Sequence, residues 1–264
     1  MYCPSCGSEE RQLSQFCRAC GADLRVVRTS LEKADAITGS AVSAPEHFGG
    51  GCRIADMREA APQVKGELIS LRVLEVAPGL SMEFRNHDVD EVLFSLASCR
   101  LLIEGVAQVV ERETGIFARA GETVAIENPG SAAIILVGVQ CPATEVAPKA
   151  VVVKLSKQRA MPTADRWYRV LIDSEVTQFV GSIPPGRAPD HFHEYEEVLF
   201  ILRGEGRMWA GEKSTPIGYG SCVYLPRKLV HCVENTGKGE LRLLGVFYPA
   251  GSPAVRYESP TQSP

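Results

Sequence analysis

Long apolar runs are missing from this chain. None reaches the roughly 18 residues that a membrane-crossing helix requires, so no transmembrane segment is expected. A basic excess is missing as well. The 28 Lys and Arg against 32 Asp and Glu leave a net charge of −4, with no basic stripe or groove-reading helix to suggest a nucleic-acid partner. The opening Met1-Tyr2-Cys3-Pro4 lacks the basic segment and apolar core of a secretory leader, so a cytoplasmic protein is expected. Helical signals are scarce. Only Thr163–Asp165 and the stretch Met57-Arg58-Glu59-Ala60 hint at helical turns in the main body of the chain.

Cysteine is present, and its spacing carries information. Four of the nine cysteines form two Cys-x-x-Cys pairs, Cys3/Cys6 and Cys17/Cys20, each followed by glycine. Without a leader, such pairs bind metal more readily than they form disulfides. A redox pair would prefer a βαβ context, which is absent. Residues 1–24 therefore resemble a zinc ribbon in which four thiolates complete a tetrahedral structural Zn site. So short a segment depends on its metal to fold, and no open coordination position remains for catalysis. The other five, Cys52, Cys99, Cys141, Cys222 and Cys232, fall in or beside strand-like segments and are expected to be buried free thiols.

Residues 25–51 read as a linker, with a short helix possible over Ser30–Ala44 and a break at Gly49-Gly50-Gly51. From residue 52 to 258 the pattern is short β-branched runs separated by Gly, Pro, Asn and Asp, for instance Leu68–Val76, Val106–Val110, Val176–Ile183 and Leu241–Phe247. Many short strands at even spacing predict an all-β sandwich or barrel. The pattern also repeats. Asp90-Glu91-Val92-Leu93-Phe94 matches Glu196-Glu197-Val198-Leu199-Phe200, and each follows a Pro-Gly turn, Pro78-Gly79 or Pro185-Gly186. Two copies of one β-domain follow, at 52–147 and 148–258, with residues 259–264 as a disordered tail.

The chemistry concentrates in the second copy. His191 and His193 stand two apart on a strand and share a face. Glu197 lies beyond the turn Glu194-Tyr195-Glu196, and His231 comes later. The spacing allows three imidazoles and one carboxylate to converge on a divalent ion; the bland reading is a polar plug satisfied by hydrogen bonds and water. The two clusters Gly186, His191, His193, Glu197, Gly204 and Gly220, Pro226, His231, Asn235 resemble the two motifs of the cupin superfamily. That resemblance implies two tandem double-stranded β-helix (jelly-roll) barrels behind the ribbon. It also implies a ligand set of His191, His193, Glu197 and His231. Two departures stand out: the gap between Gly186 and His191 is one residue shorter than the family's, and Lys228 replaces a usual glycine. Lys228 reads as a solvated turn residue.

Aligning Glu91 with Glu197 sets Arg85 opposite His191 and His87 opposite His193. Aligning Gly121 with Gly220 sets Ala132 opposite His231. The first barrel then has too few ligands for a metal, and Arg85 is expected to neutralise Glu91. The run Val198–Leu202 is apolar on both faces, which predicts that one face lines the barrel and the other packs on the partner barrel or another subunit.

The mixed nitrogen and oxygen set suits Fe, Mn, Ni, Cu or Zn without selecting among them. In quercetinase-like cupins the corresponding glutamate is both ligand and base, which makes Glu197 the candidate catalytic residue. The resemblance implies a dioxygenase-like enzyme acting on a small oxygen-rich molecule. A second resemblance is to ureidoglycine aminohydrolases, although these would carry a glutamine where His231 stands. The alternative is a non-catalytic sensor or binding protein whose ribbon docks a protein partner. Neither a nucleic acid nor a membrane is expected as partner, and monomer and homodimer both remain open.

Overall fold

The structure is a computed structural model that describes residues 46–48, 50–58, 63–146, 148, 151–163 and 166–254. The cysteine pairs Cys3/Cys6 and Cys17/Cys20, the Ser30–Ala44 helix and the tail after 254 lie outside the described residues. Within them the regular secondary structure is almost all strand, and the only helical element among the described residues is a 3-10 turn, Leu155–Lys157. Of the two expected helical turns, Glu59, Ala60, Ala164 and Asp165 lie outside the described residues. Thr163 ends the strand Met161–Thr163, and Met57 and Arg58 form a simple turn after Cys52–Asp56.

Each repeat forms a barrel from two antiparallel sheets. In the first barrel, one sheet runs in the order Val152–Lys154, Thr114–Ala118, Val89–Ser95, Ile134–Pro142, Ser70–Val76, Gln63–Lys65. It faces a sheet built on Thr123–Asn128, Cys99–Ile103 and Val106–Val110. In the second barrel, Ser221–Leu225, Glu196–Arg203, Leu241–Tyr248, Thr177–Ile183 and Arg166–Asp173 lie side by side. Facing them are Gly186–Arg187, His231–Asn235, Glu205–Ala210 and Lys213–Gly218.

The two barrels exchange strands. Cys52–Asp56, which precedes the first barrel, pairs with Ser221–Tyr224 of the second. Val152–Lys154, which precedes the second barrel, pairs with Thr114–Ile116 of the first. A carboxylate strengthens the junction: Glu196, almost fully buried, accepts hydrogen bonds from the backbone N–H of Leu68 and Ile69 at 3.0 and 3.2 Å.

Strand alternation divides the apolar residues among three cores. Leu93, Leu101, Ile116, Ile126 and Leu136 fill the first barrel, while Leu199, Ile201, Met208, Val223 and Leu243 fill the second. Their neighbours one residue away, Val92, Phe94, Val198 and Phe200, point outward and pack together between the barrels with Phe117, Leu244 and Val246. The strand that is apolar on both faces thus has the partner barrel as its second surface. Phe94 and Phe200 are fully buried there, and burying each is worth roughly 2–3 kcal/mol.

Candidate metal centre

His191, His193, Glu197 and His231 come from three segments that the second barrel's sheets draw together. His231 opens the strand His231–Asn235, and His191 forms an isolated antiparallel bridge with it. Each of these two residues donates its backbone N–H to the other's carbonyl, at 3.0 and 2.8 Å. His193 follows by alternation, its carbonyl accepting the Lys228 N–H at 2.7 Å. Glu197 sits at the start of Glu196–Arg203, on the inward face shared with Leu199 and Ile201.

One ring nitrogen from each histidine lies within 4.8 Å of the other two. Glu197 Oε2 approaches His193 Nε2 at 3.6 Å and His231 Nε2 at 3.4 Å. His193, Glu197 and His231 are 5%, 6% and 4% exposed, so water does little to screen them. His191 is half-buried. Burial, with the nearby His231 second, pushes its imidazole down to about 4. It is therefore a neutral ring with a lone pair to offer at physiological pH.

Backbone carbonyls set the tautomers. His191 Nδ1 lies 3.0 Å from the Pro189 carbonyl and His231 Nδ1 lies 2.8 Å from that of Leu229. A carbonyl can only accept, so Nδ1 carries the proton and a neutral ring presents a bare Nε2. This is the usual way a ligating histidine is oriented. In that tautomer His231 Nε2 turns its lone pair to Glu197 Oε2 at 3.4 Å, two electron-pair donors across a buried gap. Such a pair calls for a proton or a cation between them. With two further imidazoles turned to the same place, the donor set fits a divalent transition ion. Around it, Tyr195 stacks on His193 at 4.7 Å between centroids and donates its hydroxyl to the Ser252 carbonyl at 3.1 Å. Phe247 packs on both rings.

The four groups line a cavity of about 90 Å³, walled mostly by apolar side chains including Phe179, Ile183, Leu199, Leu243 and Phe247. Lys228 does not join it: its side chain is 70% exposed and its ammonium lies 3.5 Å from Glu194 Oε2, a solvated turn residue as its sequence context suggests. Arg166 does line the cavity, and the sequence reading passed it over. It opens the strand Arg166–Asp173, and its parity with Tyr168 is the signal that places it on the inward side.

The first barrel differs from expectation in which residues fill the equivalent places. Asn235 donates from Nδ2 to the Ile183 and Gly239 carbonyls at 2.8 and 2.7 Å and accepts from the Gly237 N–H at 2.9 Å. Asn128 does the same with Val76, Ala132 and Gly130, at 2.9, 2.8 and 2.9 Å. These twin turns fix the correspondence: Val124, not Ala132, stands opposite His231. Val124 pairs with Phe84 as His231 bridges His191, so Phe84 and Asn86 replace Arg85 and His87 in the comparison. Arg85 turns outward to the Thr123 hydroxyl, and His87 is exposed. Glu91 is neutralised by Arg72, which donates to both carboxylate oxygens at 2.8 and 2.7 Å, while Asn86 adds a bond at 2.7 Å. Among the described residues, the only cluster with metal-ligand geometry is that of His191, His193 and His231.

Residues 179–247 match the family profile described as cupin domain. An oxalate-binding protein of Thermotoga maritima is 37% identical over 67 residues, 25% of this chain and 55% of that protein. The chain spans about half the length of the curated relatives it matches. Among solved structures, protein Ylba from E. coli superposes with a TM-score of 0.65 at 9% identity, covering 81% of this chain and 96% of that one. Oxalate decarboxylase from Bacillus subtilis gives 0.59 at 14% identity, covering 79% and 75%. At such identities the likeness concerns fold: a cupin domain in a two-barrel β architecture.

Proposed function

We propose that the C-terminal barrel holds one divalent metal on His191, His193, His231 and Glu197 and acts, dioxygenase-like, on a small oxygen-rich organic molecule seated in the adjoining cavity. The observation that carries this reading is the buried, carbonyl-oriented His231 Nε2 facing Glu197 Oε2 at 3.4 Å, with two more imidazoles turned to the same place. Three neutral imidazoles and one carboxylate would leave a divalent ion with net positive charge and room for substrate oxygens. A redox-active ion there would supply the means to bring an enolate or catecholate and dioxygen together, and a redox-inert one would polarise a carbonyl.

The chain's own groups would do the rest. The Pro189 and Leu229 carbonyls keep the imidazoles of His191 and His231 in the ligating tautomer. Phe179, Leu243 and Phe247 keep bulk water from the site. Glu197, besides ligating, is the group placed to accept a proton from an acidic substrate hydroxyl at Oε. Cys3, Cys6, Cys17 and Cys20 are proposed to hold a structural zinc in a module separate from this chemistry.

A second reading, ligand binding without turnover, is favoured by one observation: a relative 37% identical over 67 residues is described as an oxalate-binding protein. Dioxygen uptake by the metal-loaded full chain, offered catechol- and enediol-type compounds, separates the two. Uptake that depends on His231 supports the enzyme. Saturable binding with no uptake for any loaded metal supports the binder.

A further inference from the structure

We infer that the edge strand Val106–Val110 of the first barrel is a dimerisation edge, pairing antiparallel with the same strand of a second copy of this chain about a twofold axis at Gln108. The edge belongs to the barrel without the candidate metal centre and does not depend on that site.

In each barrel the smaller sheet ends on the outer strand of a hairpin. Val106–Val110 returns along Cys99–Ile103, and Lys213–Gly218 returns along Glu205–Ala210. Among the described residues neither is hydrogen-bonded to a strand on its far side. Both hairpins turn on two residues, so Val106 answers to Lys213 and Val109 to Pro216. A lysine and a proline protect an exposed edge from pairing with another chain, the proline because it has no N–H to donate. The first barrel has valine at both places, 71% and 72% exposed. Its run Val-Ala-Gln-Val-Val carries neither charge nor proline.

The turn fixes which backbone groups are open. Glu104 and Gly105 have φ of 48° and 76°, as a type I′ turn requires. The residues flanking such a turn, Ile103 and Val106, exchange backbone hydrogen bonds. Alternation then turns the N–H and C=O of Ala107 and Val109 away from the hairpin, toward the open edge.

The same strand is the partner that fits. A twofold at Gln108 sets Ala107 opposite Val109 of the second copy, a hydrogen-bonded pair that uses the outward groups, and Val106 opposite Val110. The two Gln108 amides meet at the axis, and each can donate and accept. Beyond the strand, Glu104 of one copy comes to the end where Arg112 of the other lies, and the axis repeats this at both ends. Opposite charges so placed favour this register. A slip of two residues in either direction brings a charge against a valine instead, Arg112 against Val106 or Glu104 against Val110. A pairing this short buries little surface, so the association is reversible and concentration-dependent.

Sedimentation velocity of the full chain over a concentration series tests this. The wild type should pass reversibly from monomer to dimer as concentration rises. Val109→Pro, which copies the other barrel, removes one ladder hydrogen bond per copy and should raise the dissociation constant about tenfold or more, with little change in melting temperature. If that variant does not fold, Val106→Lys decides, and the same weakening is expected. Gln108→Cys reports the register. Its Cα should lie about 4.5 Å from its twin's, within reach of a disulfide, so mild oxidation should give a covalent dimer that the wild type does not form. A wild type that is monomeric throughout overturns the inference and leaves the edge to an extended segment of another protein. A dimer that neither Val109→Pro nor Val106→Lys weakens is held elsewhere and overturns it too. A weakened dimer in which Gln108→Cys does not cross-link overturns the axis at Gln108.

Discussion

Arg72 and Phe179 hold the same place in the two barrels. Each lies cross-strand from a glycine, Gly138 for Arg72 and Gly245 for Phe179, and each of those glycines pairs in turn with a leucine, Leu93 or Leu199. The glycines leave needed room. A Cβ on Gly138 would come within 2.4 Å of Glu91 Oε1, and one on Gly245 within 2.3 Å of the Phe179 ring. In the first barrel a guanidinium reaches the inward carboxylate. In the second an aromatic ring fills that place, and imidazoles surround the carboxylate instead. Arg72 serves as a covalently tethered cation where the other barrel has the candidate metal centre.

Removing that cation leaves the fully buried Glu91 uncompensated. Arg72→Ala is expected to destabilise the protein by about 3 kcal/mol, in line with breaking a buried pair from one side. Urea denaturation measures this, and the metal content of the second barrel should not change. A loss below about 1 kcal/mol would mean that Asn86 and water satisfy Glu91 unaided.

Lys228 has φ of 61°, in the left-handed region, with its side chain in solvent. An L-residue there carries a steric cost of roughly 1–2 kcal/mol, part of which glycine returns as entropy of the unfolded chain. Lys228→Gly is therefore expected to raise stability by about 0.5–1 kcal/mol, visible as a higher melting temperature. Because the ammonium is not in the cavity, metal affinity should be unaltered.

The imidazole of His191 sets a pH dependence in metal-free protein. Its folded value of about 4 lies below the ordinary 6.5 because burial disfavours the cation. Between those values the unfolded chain binds the extra proton and the folded chain does not, so stability rises with pH across the window. The contribution is fully present above pH 6.5 and is lost as pH falls toward 4. Chelator-treated His191→Asn should show a shallower loss of stability between pH 6.5 and 4 than chelator-treated wild type, by thermal melts at each pH. Parallel curves would contradict the assignment.

Much of the second barrel was legible in the sequence because strand alternation and motif spacing act locally. His191 and His193 share a face by a rule that needs no partner, and the doubly apolar run Val198–Leu202 implied a second packing surface. Two things were not legible. The exchange of Cys52–Asp56 and Val152–Lys154 between barrels is hydrogen bonding between segments far apart in sequence, and short runs carry no mark of which edge they join. The first barrel's site was misaligned because one extra residue separates Asn86 from Glu91, compared with His193 and Glu197. A slip of one residue exchanges the inward and outward faces, which put Arg85 and His87 where Phe84 and Asn86 stand. Arg72, the cation that does neutralise Glu91, was hidden inside a run read only as a strand.

The central claim is that His191, His193, Glu197 and His231 hold a metal. Its most direct test is elemental analysis of full-length protein purified without added metal, alongside His191→Ala, His231→Ala and Cys17→Ser. The account predicts about one zinc and about one further divalent metal per chain in wild type. Either histidine change should remove the second metal and spare the zinc, and the cysteine change should do the reverse. Histidine variants that keep the full wild-type complement of metal would contradict it.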